Sequence, residues 1–157
     1  MSPRKAKQTA PSRLIKVSAD GLLLPADATD WVAVYQPDRQ LTWTRDVLPC
    51  GAVPWARAVK EAAAVTLCGW TDWRAPSRLD YAHLIDDDMY GPAIDTAFFT
   101  VADRYQWEWT GTKCTPSGVA WLVFLSRGYS GRYGQSVRTH VRAVRAGQIS
   151  AFGGSAS

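Results

Sequence analysis

The chain has 157 residues, 46% hydrophobic and 20% charged, which is one domain's worth of ordinary globular protein with enough length to bury a core. Its net charge is +4 and its pI about 9.1, with the basic excess near the two ends: Arg4, Lys5 and Lys7, then Arg127, Arg132, Arg138, Arg142 and Arg145. The early charges are few and the late ones alternate with core-like residues, so nucleic-acid binding is not expected. No apolar run approaches a membrane span, and Leu22 to Leu24 is too short for a signal peptide's apolar region, so neither membrane insertion nor secretion by a leader is expected.

In chain order, residues 1–13 read as a flexible basic arm and residues 14–30 as a turn-rich lead-in. Trp31 to Tyr35 and Leu41 to Thr44 read as two short strands joined at the Pro37-Asp38 turn. Pro54 to Leu67 is the best helix: proline suits its first turn, Trp55, Ala58, Val59, Ala62 and Val65 recur at helical spacing, and Gly69 is its stop. Ser77 looks like the N-cap of a second helix through Leu84 and Ile85, with Asp80 three residues on. Residues 91–103 read as loop with a turn at Gly91-Pro92. From Trp107 the pattern turns to β. Val119 to Leu125 is a near-continuous apolar strand whose two faces should both be covered, and Val137, Val141 and Val144 mark a last strand. Residues 149–157 read as a flexible tail.

Catalytic constellations are not found. His83 and His140 stand apart from any nucleophile or metal-ligand spacing, and no phosphate-binding glycine loop or nucleophile elbow occurs. Glu108, between Trp107 and Trp109, is a candidate buried acid without a partner base in the sequence. Asp86-Asp87-Asp88 lacks calcium-loop spacing and reads as a solvated loop. Gln36-Pro37-Asp38 spells a motif used in calcium-dependent lectin sites but falls in the first hairpin, so no metal and no cofactor are expected. Cys50, Cys68 and Cys114 make an odd count, which favours three free thiols over a single Cys50–Cys68 or Cys68–Cys114 bridge.

One stretch is far more specific than composition. Gly69-Trp70-Thr71-Asp72-Trp73-Arg74-Ala75-Pro76-Ser77-Arg78 resembles the G-x-T-D-W-R-L-P-T-R signature of the Lcl C-terminal domain family. Further pieces follow in the family's order: Leu41 to Arg45, Pro92 to Asp95, Trp109 to Thr112, Gly118 to Phe124, and Val141 to Gln148. Ala75 stands where the pattern has Leu, and Gly111 where it has Ser. The resemblance implies an α+β, C-type-lectin-like fold over residues 14–148: two helices on short antiparallel sheets, with a long loop region. Trp43, Asp72, Trp73, Arg74, Pro76, Trp109, Trp121, Arg142 and Arg145 would be its structural residues, an Arg–carboxylate bond beside a buried Trp pinning the signature loop. The related formylglycine-generating branch uses cysteines that have no counterpart here, so the resemblance implies no enzyme.

Chains resembling this one recur in phages and prophages, and the superfold presents ligands between the segments matching Trp109 and Val141. The Tyr-, Ser-, Arg- and Gly-rich composition there singles out Arg127, Tyr129, Ser130, Arg132, Tyr133, Gln135 and Ser136 as the expected ligand-binding residues. The expectation is a virion-surface protein made in the host cytoplasm: a receptor-binding, tail-fibre or decoration subunit. Its 126–140 hairpin would contact host-surface glycan or protein. Its arm would hold other virion proteins, in a homo-oligomer or a larger assembly. The alternative is an intracellular phage protein that binds and inhibits a host protein.

Overall fold

The computed structural model describes residues 14–86, 88–101, 103, 105–114 and 118–153. The basic arm, Asp87 of the acidic triplet and the last four residues lie outside them. The architecture is α+β. A four-stranded antiparallel sheet runs in the order β1 (Ile15–Val17), β2 (Ala33–Gln36), β3 (Leu41–Thr44) and β7 (Val144–Ala146). A three-stranded antiparallel sheet is built from β4 (Trp107–Cys114), β5 (Val119–Phe124) and β6 (Tyr129–Gly134). The helices are α1 (Trp55–Ala63) and α2 (Arg78–Leu84).

Every residue of β2 and β3 is buried, because the first sheet has core on both sides. Ala33 and Tyr35 face a cluster with Ala58 and Ala62 of α1, Trp73, Trp109 and Leu122. Val34 and Trp43 face a second cluster with Tyr81 and Leu84 of α2, Phe99 and Val123. The Trp43 indole donates to Gln36 Oε1 at 3.0 Å, and Gln36 Nε2 donates to the His83 carbonyl at 2.9 Å, which ties β2 and β3 to α2.

Four expectations change. The lead-in contains β1, paired with β2 from Ile15↔Tyr35 to Val17↔Ala33. The first helix stops at Ala63, not Leu67, because Leu67 and Trp70 exchange backbone hydrogen bonds around a two-residue turn. Cys68 (φ 59°) and Gly69 (φ 80°) both occupy the left-handed region, as the tightest hairpin turns require. The last strand is Val144–Ala146 rather than 137–144: Val137 is exposed, Thr139 pairs with Val53 and His140 with Glu108 as isolated bridges. Residues 149–153 are not a loose tail, since Ile149 is buried and Gly153 N donates to the Leu23 carbonyl at 2.8 Å.

The second helix forms as its sequence dictates. Ser77 accepts from the Asp80 amide and the Asp80 carboxylate accepts from the Ser77 amide, a reciprocal capping box. The signature segment docks on β7, where Arg74 and Val144 exchange backbone hydrogen bonds of 2.8 Å. The expected Arg–carboxylate bonding is there with partners from elsewhere in the chain. Asp72 receives Arg145 at 2.6 and 3.1 Å, and Arg74 reaches Asp80 at 2.7 Å. Arg145 also lies over the Trp70 ring, and its hydrogen bonding holds the Asp72 carboxyl below its usual range.

Candidate functional site

The hairpin of β5 and β6 turns at Leu125–Gly128. Gly128 has φ 80°, and a Cβ there would stand 2.7 Å from Ile85 Cγ2 and 3.0 Å from Ala93 Cβ, so glycine lets the turn press against the end of α2. The register then sorts the strand's side chains. Tyr129, Gly131 and Tyr133 stand opposite Phe124, Leu122 and Ala120, while Ser130, Arg132 and Gly134 stand opposite Val123, Trp121 and Val119. Alternation along a strand sends these two sets to opposite faces.

The first face buries Ala120 and Leu122 in the first core cluster and leaves an aromatic patch exposed along β6. Trp107 stacks on Phe124 with ring centroids 4.3 Å apart, Tyr133 meets Trp107 edge-on at 5.3 Å, and Tyr129 meets Phe124 at 5.4 Å. Tyr129 and Tyr133 are 53% and 42% exposed, so each is braced on one side and bare on the other. Gly131 lets the Tyr133 ring lie where it does, because a Cβ there would stand 2.9 Å from that ring and push it aside.

The second face carries arginine. The Arg78 guanidinium of α2 lies 3.7 Å from the Trp121 ring centroid, and Arg132 lies 5.7 Å from it. Arg78 Nε donates to Ser130 Oγ at 3.2 Å. Among the described residues neither arginine has a carboxylate partner.

The seven residues expected to form one site therefore do not converge. Tyr129 and Tyr133 share one face, Ser130 and Arg132 the other, and Arg127 and Ser136 lie beyond opposite ends of β6. Gln135 is a fastener: its side chain donates to the Val119 carbonyl at 3.1 Å, its amide donates to Gly118, and its carbonyl accepts from Trp55. Trp107 and Phe124 on the first face, and Arg78 on the second, were missed. The period-two spacing of Tyr105, Trp107 and Trp109 was the available signal for the former.

Of the structural set, Trp43, Trp73 and Trp109 are buried, and Pro76 receives the Gly111 amide at 2.7 Å. Trp121 is half-buried and belongs with the arginine face. Glu108 is a fully buried acid with three partners. It accepts from Arg142 Nε at 3.0 Å, from the Tyr81 hydroxyl at 2.5 Å and from Gln106 Nε2 at 2.7 Å. Burial, then the neighbouring Glu108 charge, raises the Tyr81 hydroxyl well above its ordinary pKa, so it stays a donor.

Arg142 is fully buried as well, and its terminal nitrogens serve the carbonyls of Arg45 and Thr100. Two of the late arginines, Arg142 and Arg145, are thus internal fasteners rather than a basic surface. The three cysteines are free, and burial pushes the Cys68 thiol up to about 11. Asp88 donates its amide to Asp86 Oδ1, and among the described residues no three His, Cys, Asp or Glu side chains gather as a metal site would need. Among the described residues no helix is long and apolar enough to cross a membrane.

A family model described as the Lcl C-terminal domain matches residues 33–145. That span runs from β2 into β7 and includes both helices and the whole three-stranded sheet. No curated protein matches the chain.

Proposed function

The chain belongs to the Lcl C-terminal domain family, and from that membership we propose a non-enzymatic recognition module of C-type-lectin-like fold, displayed on a bacteriophage particle. It meets a host-surface glycan or protein through the 126–140 hairpin. The observation that carries this reading is the exposed aromatic face of Tyr129 and Tyr133, backed by Trp107 and Phe124. Braced tyrosines offer contact area at little entropic cost, and their hydroxyls suit a wet, polar partner. Exposed apolar patches on soluble proteins commonly mark interaction sites.

The state of Glu108 supports the non-enzymatic part. Its hydrogen bonds are spent on Arg142, Tyr81 and Gln106 in the interior, away from any substrate that would need a proton moved. The N-terminal arm is assigned to neighbouring virion proteins, in a homo-oligomer or larger assembly. Mass spectrometry and antibody labelling of purified particles test the placement. The expected result is the protein on the particle surface with residues 127–136 accessible. Its absence from particles overturns the virion reading and turns the search to a host protein bound inside the cell.

A further inference from the structure

We propose that the cleft between α2 and the arginine face of β5–β6 is a second binding site, for a monocarboxylate with an apolar body, with Arg78 receiving the carboxylate. The cleft measures about 360 Å³, toward the lower end of the roughly 300–1,000 Å³ in which small-molecule sites fall.

Its polar end is built in advance. The Arg78 guanidinium lies over the Trp121 ring, 3.7 Å from its centroid, and its Nε donates to Ser130 Oγ at 3.2 Å, while its terminal nitrogens have no hydrogen-bond partner among the described residues. A guanidinium held this way offers its remaining N–H groups as a fork, which matches a planar carboxylate in two parallel hydrogen bonds. Pre-ordering removes part of the entropic cost of binding.

Part of the cleft is apolar. Val123 and Ile85 line it, with Ala82 on the helix side. Tyr81 contributes only its ring, because its hydroxyl is turned inward to Glu108 at 2.5 Å. Tyr129 lines the cleft as well. Charge sets the limit on the anion. Arg132 also lies over Trp121, at 5.7 Å, but does not line the cleft, so among the described residues one cation, Arg78, lines it and matches a single negative charge. The cleft shares Tyr129 with the aromatic face, but Arg78, Ala82 and Ile85 belong to it alone, and it stands or falls separately from display on a particle.

The carboxylate could come from a free acid or from the C-terminus of a polypeptide with an apolar last residue. The test is an NMR titration of ¹⁵N-labelled protein, following the Trp121 indole and Arg78 Nε signals. The probes are N-acetyl-leucine, its amide N-acetyl-leucinamide, acetyl-Ala-Ala-Leu and sodium sulfate. N-acetyl-leucine should saturate and the amide should not. Arg78→Met should weaken the acid by about tenfold or more, as loss of a charge-assisted pair does. Ala82→Phe should abolish binding by filling the cleft with Arg78 intact, and it carries the test if Arg78→Met fails to fold. Arg132→Met should leave affinity within about twofold, since that group lies outside the cleft. Tighter binding of the peptide than of N-acetyl-leucine assigns the ligand to a chain terminus, and equal binding assigns it to the free acid. The proposal is overturned if the acid gives no saturable shift, if the amide binds as well as the acid, if sulfate displaces the acid at equal concentration, or if Arg132→Met costs as much as Arg78→Met.

Discussion

Arg142 carries a full charge in the interior, so its partners decide whether it holds the fold together or breaks it. Glu108 neutralises it, and the carbonyls of Arg45 and Thr100 take its terminal nitrogens, which joins the end of β3, the loop before β4 and β4 itself through one side chain. Removing one partner of such a pair strands the other in the core, at a cost of roughly 3–5 kcal/mol. Arg142→Met should therefore lower the urea-unfolding free energy by about that amount. A loss near 1 kcal/mol, the level of a surface pair, would mean the charge is not held as described. A quieter residue-scale effect links the two departures from the family signature. A Cβ on Gly111 would lie 3.2 Å from Ala75 Cβ, so the position that has lost its Leu and the position that has lost its Ser touch each other. Two small residues let the irregular stretch of β4 between Trp109 and Lys113 approach the signature segment, where Gly111 N donates to Pro76.

At the scale of elements, α2 has only seven residues and depends on its cap. Ser77→Ala removes the acceptor for the Asp80 amide and should cost about 1 kcal/mol, read as a lower thermal midpoint. An unchanged midpoint would show that tertiary packing alone sets the helix start. Local chemistry made this cap legible in the sequence, as it did the β2–β3 hairpin around Pro37-Asp38 and the apolar strand β5. The misses have a common cause, which is that long-range pairing overrode local pattern. Helical spacing ran on to Val65, but Leu67 and Trp70 close on each other and end α1 early. Val137 and Val141 look like strand residues, yet Val137 is exposed, and a strand forms only where Val144 reaches Trp43 of β3. β1 is three residues long and is made by its pairing with β2. In the candidate site, composition picked out the right hairpin but ignored its alternation, which divides tyrosines from arginine. Arg78 could not be foreseen there, because it meets Ser130 from 52 residues away.

Across the whole molecule, the three-stranded sheet gives each face a different neighbour. The arginine face is turned to α2, and the other packs Ala120 and Leu122 into the first core cluster while its aromatic edge at Tyr129 and Tyr133 is left to solvent beside Trp107. The first sheet, with core on both sides, and the buried Glu108–Arg142 pair form the rigid body behind them. This division makes the aromatic face separable from stability: Tyr129 and Tyr133 can be truncated without opening either core cluster. The most direct test is adhesion of the purified protein to host cells, comparing the unaltered chain with the Tyr129→Ala/Tyr133→Ala double variant and checking both by thermal melting. Loss of two central aromatic contacts should reduce adhesion by about tenfold or more while the melting transition stays cooperative. A folded double variant that adheres as well as the unaltered chain would contradict the assignment of this face as the recognition surface.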